Sequence, residues 1–241
     1  MQSGNPTLNP KVFSEAKVYG AGQAMTVQGT VNKTLVLLAV LMVTAVWTWS
    51  KAFDPTAGAF VGGLFLGGLI GGLVLALVTV FKPAWSPVTA PLYTACQGLV
   101  LGLLSAHFEA RYPGIVMQAV GLTFATSFAM LLGYKAGWLK ATPALRKGLM
   151  IAMGGLMIFY VAVWIASMFG IHPPAFINGG GPLGIAFSLV IVGIAAMNLI
   201  IDFDFIETAA REGAEKKMEW YGAFALMVTL IGCIWKFLDF C

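Results

Sequence analysis

The chain has 241 residues, of which 59% are hydrophobic and only 10% charged. A soluble domain carries about 25% charged residues, so this composition excludes a water-soluble globular protein and leaves the bilayer as the solvent. The formal net charge of +4 comes from basic residues scattered between apolar runs, which excludes the continuous basic face of a nucleic-acid binder.

Residues 1–30 are polar, and the first apolar run begins near Val31. That run is longer than the apolar core of a signal peptide and lacks a cleavage site, so it is expected to remain as the first span. Crossing the hydrocarbon takes roughly 20 apolar residues. Seven stretches meet this length: Val31–Trp49, Ala59–Phe81, Pro91–Phe108, Ile115–Tyr134, Gly148–Phe169, Pro182–Ile201 and Met218–Leu238. The expected fold is all-α: a polar N-terminal segment over residues 1–30, then one membrane domain of seven transmembrane helices over residues 31–241. Trp49, Trp85, Trp138 and Trp220 fall at span ends, where an interfacial aromatic belt places them.

Loop charges predict the orientation. Of the 14 Lys and Arg, all but Lys51, Arg111 and Lys236 fall in the N-terminal segment or in the second, fourth and sixth loops. Basic loops stay in the cytoplasm, so the N-terminus is expected there and Cys241 outside, unless the last helix re-enters. Cys96, Cys233 and Cys241 form neither a disulfide framework nor a metal-ligand spacing.

In the second span, Gly58/Gly62, Gly63/Gly67/Gly71 and Gly68/Gly72 recur every four residues. Small residues on one helical face let helices approach closely in lipid, so this span is expected to pack tightly through its glycines. No strand precedes them and no Lys-Ser/Thr follows, which argues against a nucleotide loop.

The polar residues that interrupt the spans are the candidates for function. The sixth span ends Asn198-Leu199-Ile200-Ile201-Asp202-Phe203-Asp204-Phe205-Ile206-Glu207. Acids at a helix C-terminus oppose its dipole by a few tenths to about 1 kcal/mol each, so their presence asks for a reason. Asn198 and Asp202 share a face. An amide at mid-span is costly in lipid, so that face is expected to point into the bundle and to carry Asp202 into the cytoplasmic mouth. Asp204 and Glu207 share a different face and are expected to meet headgroups, water, Lys216 or Lys217. Glu219 opens the seventh span, either as a cap at a helix start or facing Asp202 across the hairpin at the same depth. Two facing carboxylates would titrate as a coupled pair. Gln97 is expected to face the bundle, Gln118 to bond a neighbouring helix, and Glu109 with His107 to form a boundary cap or ion pair. Neither His107 nor His172 sits in a zinc-ligand spacing, and no Gly-x-Ser-x-Gly occurs. The sequence therefore points away from an enzyme and implies no cofactor.

Several segments together resemble the bacterial branch of the Bax-inhibitor (YccA-like, transmembrane Bax inhibitor motif) membrane proteins. They are Ser3-Gly4-Asn5-Pro6; Met25-Thr26-x-x-Gly29-Thr30-Val31-Asn32-Lys33-Thr34; Phe108-Glu109-Ala110-x-Tyr112-Pro113-Gly114-Ile115-Val116; Leu199-x-x-Asp202-Phe203-Asp204-Phe205-Ile206-Glu207; and Met218-Glu219-Trp220-Tyr221-x-x-Phe224. The likeness covers nearly the whole chain. It implies a seven-helix bundle with the last helix near its centre, in a bacterial cytoplasmic membrane. It also implies a pH-sensitive calcium leak closed by acids on the sixth and seventh helices. Asp202 with Ile206 fits the family's sixth-helix aspartate. The seventh-helix aspartate has no counterpart in Tyr221-Gly222-Ala223-Phe224, and Glu219 lies about a turn early. Gln97 replaces an acid usual before Gly-Leu in the third span.

Two functions follow as expectations. One is a calcium or cation leak channel gated by protonation at Asp202 and Glu219, with Asp204 and Glu207 as a secondary acidic mouth and calcium as the permeant ion. The other is a membrane-embedded regulator of protein turnover or stress survival, whose N-terminal segment binds a membrane protease or another membrane protein.

Overall fold

The computed structural model describes residues 24–54, 58–136, 138, 141–169 and 182–240. Most of the polar segment expected over residues 1–30 lies outside the described residues, as do His172 and Cys241. The described residues form seven α-helices: α1 Val27–Ala52, α2 Gly58–Phe81, α3 Ser86–Arg111, α4 Ile115–Lys135, α5 Pro143–Met168, α6 Pro182–Arg211 and α7 Met218–Phe240. All seven are long and apolar enough to cross a membrane. Each predicted span corresponds to one helix.

Local chemistry fixes the helix ends. Thr26 and Thr142 cap α1 and α5, their hydroxyls accepting from Gly29 N at 2.9 Å and Leu145 N at 3.2 Å, as N-cap threonines do. Glu109 reaches past the end of α3 to accept from Gly114 N at 2.7 Å and Val116 N at 3.3 Å, so the expected boundary acid is a cap for α4. His107 is exposed, and Gln118, expected to bond a neighbouring helix, is exposed as well. Helix α6 closes in a Schellman turn, with Gly213 at φ 74°. There Gly213 N donates to Ala210 O at 3.2 Å and Ala214 N to Ala209 O at 3.1 Å, which satisfies carbonyls the helix end would otherwise orphan.

That turn corrects a boundary. The apolar run ends at Ile201, but the helix continues to Arg211. Asp202 therefore sits nine residues before the C-terminal residue of α6, and the dipole penalty, confined to the last turn, does not reach it.

Helix α7 is the most deeply buried span and packs against α1, α3, α4 and α6. Its Tyr221, Ala223, Phe224, Ala225 and Met227 are fully enclosed, and Tyr93 of α3 meets Phe224 edge-on at 5.0 Å between ring centroids. Helix α5 lies at the periphery and is the least buried span.

The glycine expectation holds for only part of α2. A side chain at Gly68 or Gly72 would meet Cys96 O or Gln97 Nε2 of α3 at 2.9 Å, whereas Gly58, Gly62, Gly63 and Gly67 face open space. A closer approach lies elsewhere, where Gly98 and Gly102 of α3 face α1. A Cβ at Gly102 would fall 2.2 Å from both Ala45 O and Thr48 Oγ1. Because a backbone carbonyl is part of the obstacle, α1 and α3 would have to separate. Gly102→Ala is expected to cost about 1–3 kcal/mol, read as a lower melting temperature in detergent, while Gly62→Ala leaves it unchanged.

Candidate functional site

Asp202 lies inside the bundle, 0% exposed, within the membrane-spanning part of α6. An ionisable group at such a position is costly and marks function by default. Its Oδ2 accepts from Thr229 Oγ1 of α7 at 2.7 Å and more loosely from Asn198 Nδ2 at 3.4 Å. Asn198 Nδ2 also reaches Thr229 Oγ1 at 3.3 Å, so three side chains from two helices form one buried cluster. Asn198 and Asp202 share a face because they are four residues apart, as the sequence indicates. Cys233, one turn beyond Thr229 and also buried, lies within electrostatic reach of Asp202. Asn198 Oδ1 is buried with no hydrogen-bond partner among the described residues, which leaves one acceptor in the cluster open.

Glu219 does not face Asp202 at the same depth. The residue meeting Asp202 on α7 is Thr229, ten positions further along, or about 15 Å at 1.5 Å per residue. Glu219 is 1% exposed and turns to α1. Its Oε1 accepts from Thr26 N and Thr26 Oγ1, each at 3.0 Å, and its Oε2 pairs with Lys33 Nζ. Gly29 leaves room for this carboxylate, since a Cβ there would fall 2.2 Å from Glu219 Oε1. The same strand of chain docks on the α6–α7 turn through Met25 N to Ala214 O at 2.6 Å. Glu219 is thus neither a simple cap nor half of a diacid; it clamps the start of α1 to the start of α7.

Asp204 and Glu207 face outward from the cluster, as their position on the helix requires, but their partners differ from those expected. Asp204 pairs with Arg146 of α5. Glu207 accepts from Tyr134 of α4 at 2.6 Å and from Arg211 at 2.5 Å. Neither Lys216 nor Lys217 forms an ion pair with them among the described residues; Lys217 pairs with Glu215 at 2.5 Å. Gln97 is half-buried and points at Gly72 of α2, remote from the α6–α7 cluster. Thr229 is the residue the sequence did not single out. Its hydroxyl stands alone in an apolar run, and a helical threonine usually bonds its own backbone.

A family model described as Bax inhibitor 1 like matches residues 5–240. The chain belongs to the Bax inhibitor 1 like family. No curated protein and no solved structure matches it. In this member of the Bax inhibitor 1 like family, a threonine hydroxyl on the seventh helix faces Asp202 of the sixth, and Glu219, at the start of the seventh, is committed to Lys33.

Proposed function

We propose that the chain is a pH-sensitive cation leak channel, with calcium as a permeant ion, held closed by the Asp202–Thr229–Asn198 cluster between α6 and α7. The N-terminus, the α6–α7 turn and most of the basic residues then lie on the cytoplasmic side of a bacterial membrane, in keeping with the charge asymmetry of the loops. The observation that carries this reading is the complete burial of Asp202 at a seam between two spans, with a hydroxyl of the facing helix donating to it at 2.7 Å.

The ionised carboxylate accepts a charge-assisted hydrogen bond, roughly twice as strong as a neutral one, and so draws α7 to α6. Protonation removes that charge. The acid O–H gains an acceptor on its own helix once the Asn198 amide rotates, because Asn198 Oδ1 has no partner among the described residues. The proton thus turns Asp202 from an α7 contact toward an α6 contact and loosens the seam. Cation flux is expected to rise as pH falls.

The test is calcium entry into liposomes carrying the purified protein, followed with a trapped indicator over a range of pH. Entry above that of empty liposomes and increasing on acidification supports the reading. Entry equal to empty liposomes at every pH removes it.

A further inference from the structure

The residues that lead into α1 are strapped onto the α6–α7 hairpin. Ala24 pairs with Glu215 in an isolated antiparallel bridge, and Met25 N donates to Ala214 O at 2.6 Å. Thr26 is gripped next, its N and Oγ1 each donating to Glu219 Oε1 at 3.0 Å. Each of these anchors lies on the α6–α7 turn or the start of α7.

Between the anchors the Met25 side chain turns inward. It is 2% exposed and belongs to an apolar cluster that α6 and α7 share, with Ile206, Tyr221 and Leu226 among its members. It comes up against a missing side chain. A Cβ at Gly222 of α7 would lie 3.2 Å from Thr30 Cγ2, 3.3 Å from Ile206 Cγ1 and 3.5 Å from Met25 Cε. The strap, α1 and α6 thus converge on α7 at Gly222. Ile206 follows Asp202 by four residues on the same face of α6, so this point lies one helical turn, about 5.4 Å, from the buried cluster toward the hairpin turn. The two layers of the seam differ in kind. The Asp202 layer is polar and built from helices alone; the Gly222 layer is apolar, and Met25 reaches it from a strap.

We propose that Met25 is a removable apolar plug, sealing the α6–α7 seam between the Asp202 cluster and the water at the turn end of the bundle, and that the strap leaves the hairpin when the seam opens. What passes the seam is taken from the leak reading above, on which the proposal rests to that extent. An apolar constriction bars ions by excluding water. Methionine suits a part that moves in and out, because its unbranched thioether chain fits irregular gaps. The strap is held by a single bridge and the Thr26 contacts, which places its release among the local openings that cost less than global unfolding.

The test uses the full chain in liposomes with Cys96→Ser and Cys241→Ser, leaving buried Cys233, one turn beyond Thr229, to report water in the seam through its labelling by a small water-soluble maleimide. Met25→Ala is expected to speed that labelling at least about tenfold, since a core truncation of this size favours local opening by that much or more, and to raise calcium entry at neutral pH. Met25→Leu, which keeps an apolar plug, should label as slowly as the chain with Met25. So should Leu149→Ala, a comparable truncation at a buried site on α5. A second variant locks the plug in place. The bond from Met25 N to Ala214 O makes Ala24 and Glu215 a non-hydrogen-bonded pair, the kind whose side chains come closest, so Ala24→Cys with Glu215→Cys can close a disulfide. When oxidised, this variant should keep its neutral-pH rate of calcium entry on acidification, and reduction should restore the rise; it keeps the proposal open to refutation if Met25→Ala does not fold. Cys233 equally protected in Met25→Ala overturns the plug. So does Leu149→Ala labelling as fast as Met25→Ala, or an acid-stimulated entry that the cross-link leaves unchanged. Entry equal to empty liposomes in every form, with Cys233 exposed by Met25→Ala, rejects the leak reading and supports the plug.

Discussion

Asp202→Asn is expected to abolish the pH response of calcium entry. The asparagine keeps the shape of the side chain but carries no titrating proton, so the α6–α7 seam no longer changes with pH. If protonation shifts the open–closed balance by one pKa unit's worth of free energy, about 1.4 kcal/mol, entry changes by about tenfold between the two protonation states. The variant should lose that ratio and hold one constant rate. Thr229→Val separates the latch from the sensor. It removes the hydroxyl that donates to Asp202 at 2.7 Å while leaving the carboxylate in place. Entry at neutral pH should rise, and the residual pH response should shrink without vanishing. Cys233 is another titratable group within electrostatic reach of the carboxylate, and Cys233→Ser should leave the pH response in place. A pH response in Asp202→Asn equal to that of the unaltered protein would reject Asp202 as the sensor.

The two halves of this site were unequally legible in the sequence. Asn198 and Asp202 could be placed on one inward face because helical periodicity and the cost of an amide in lipid are local facts. Their partner could not, because it depends on the register of the α6–α7 hairpin. That register is set by how far α6 runs beyond its apolar residues. Phe203, Phe205, Ile206 and Ala209 carry the helix on past Ile201, with the acids distributed over its faces, until Gly213 at φ 74° ends it. Reading the span as ending at Ile201 placed Asp202 at the mouth and Glu219 opposite; the longer helix brings Thr229 there instead. The glycines teach the same lesson. Four-residue spacing in α2 identifies a face suited to close approach, but whether a helix comes close is decided by its neighbour. Gly98 and Gly102, a single such pair amid larger residues, meet the carbonyls of α1, while much of the longer α2 array meets nothing.

The clamp at the start of α1 should dominate stability. Glu219 and Lys33 are 186 positions apart in the chain, and their side chains are 2% and 20% exposed. Removing one partner of a buried pair leaves the other charge uncompensated and costs about 3–5 kcal/mol. The partial exposure of Lys33 places Glu219→Leu toward the lower end of that range, since the stranded ammonium can reach solvent. Lys33→Met should cost more, because the carboxylate it leaves behind is almost entirely enclosed, although Thr26 N and Oγ1 still donate to it at 3.0 Å. Combining the two substitutions should recover part of the loss, since an apolar pair of similar volume often replaces a buried ion pair at little cost. Gly29→Ala attacks the same contact without changing a charge, because the added methyl occupies the position of the Glu219 carboxylate. Thermal unfolding in detergent should rank the unaltered protein first, the double variant next and the single charge variants below it. A double variant that melts as low as the worse single variant would show that the ion pair itself, rather than the stranded charge, carries the stability. Single variants that melt with the unaltered protein would show that α1 is held by its packing on α3 and α7 without help from the ion pair.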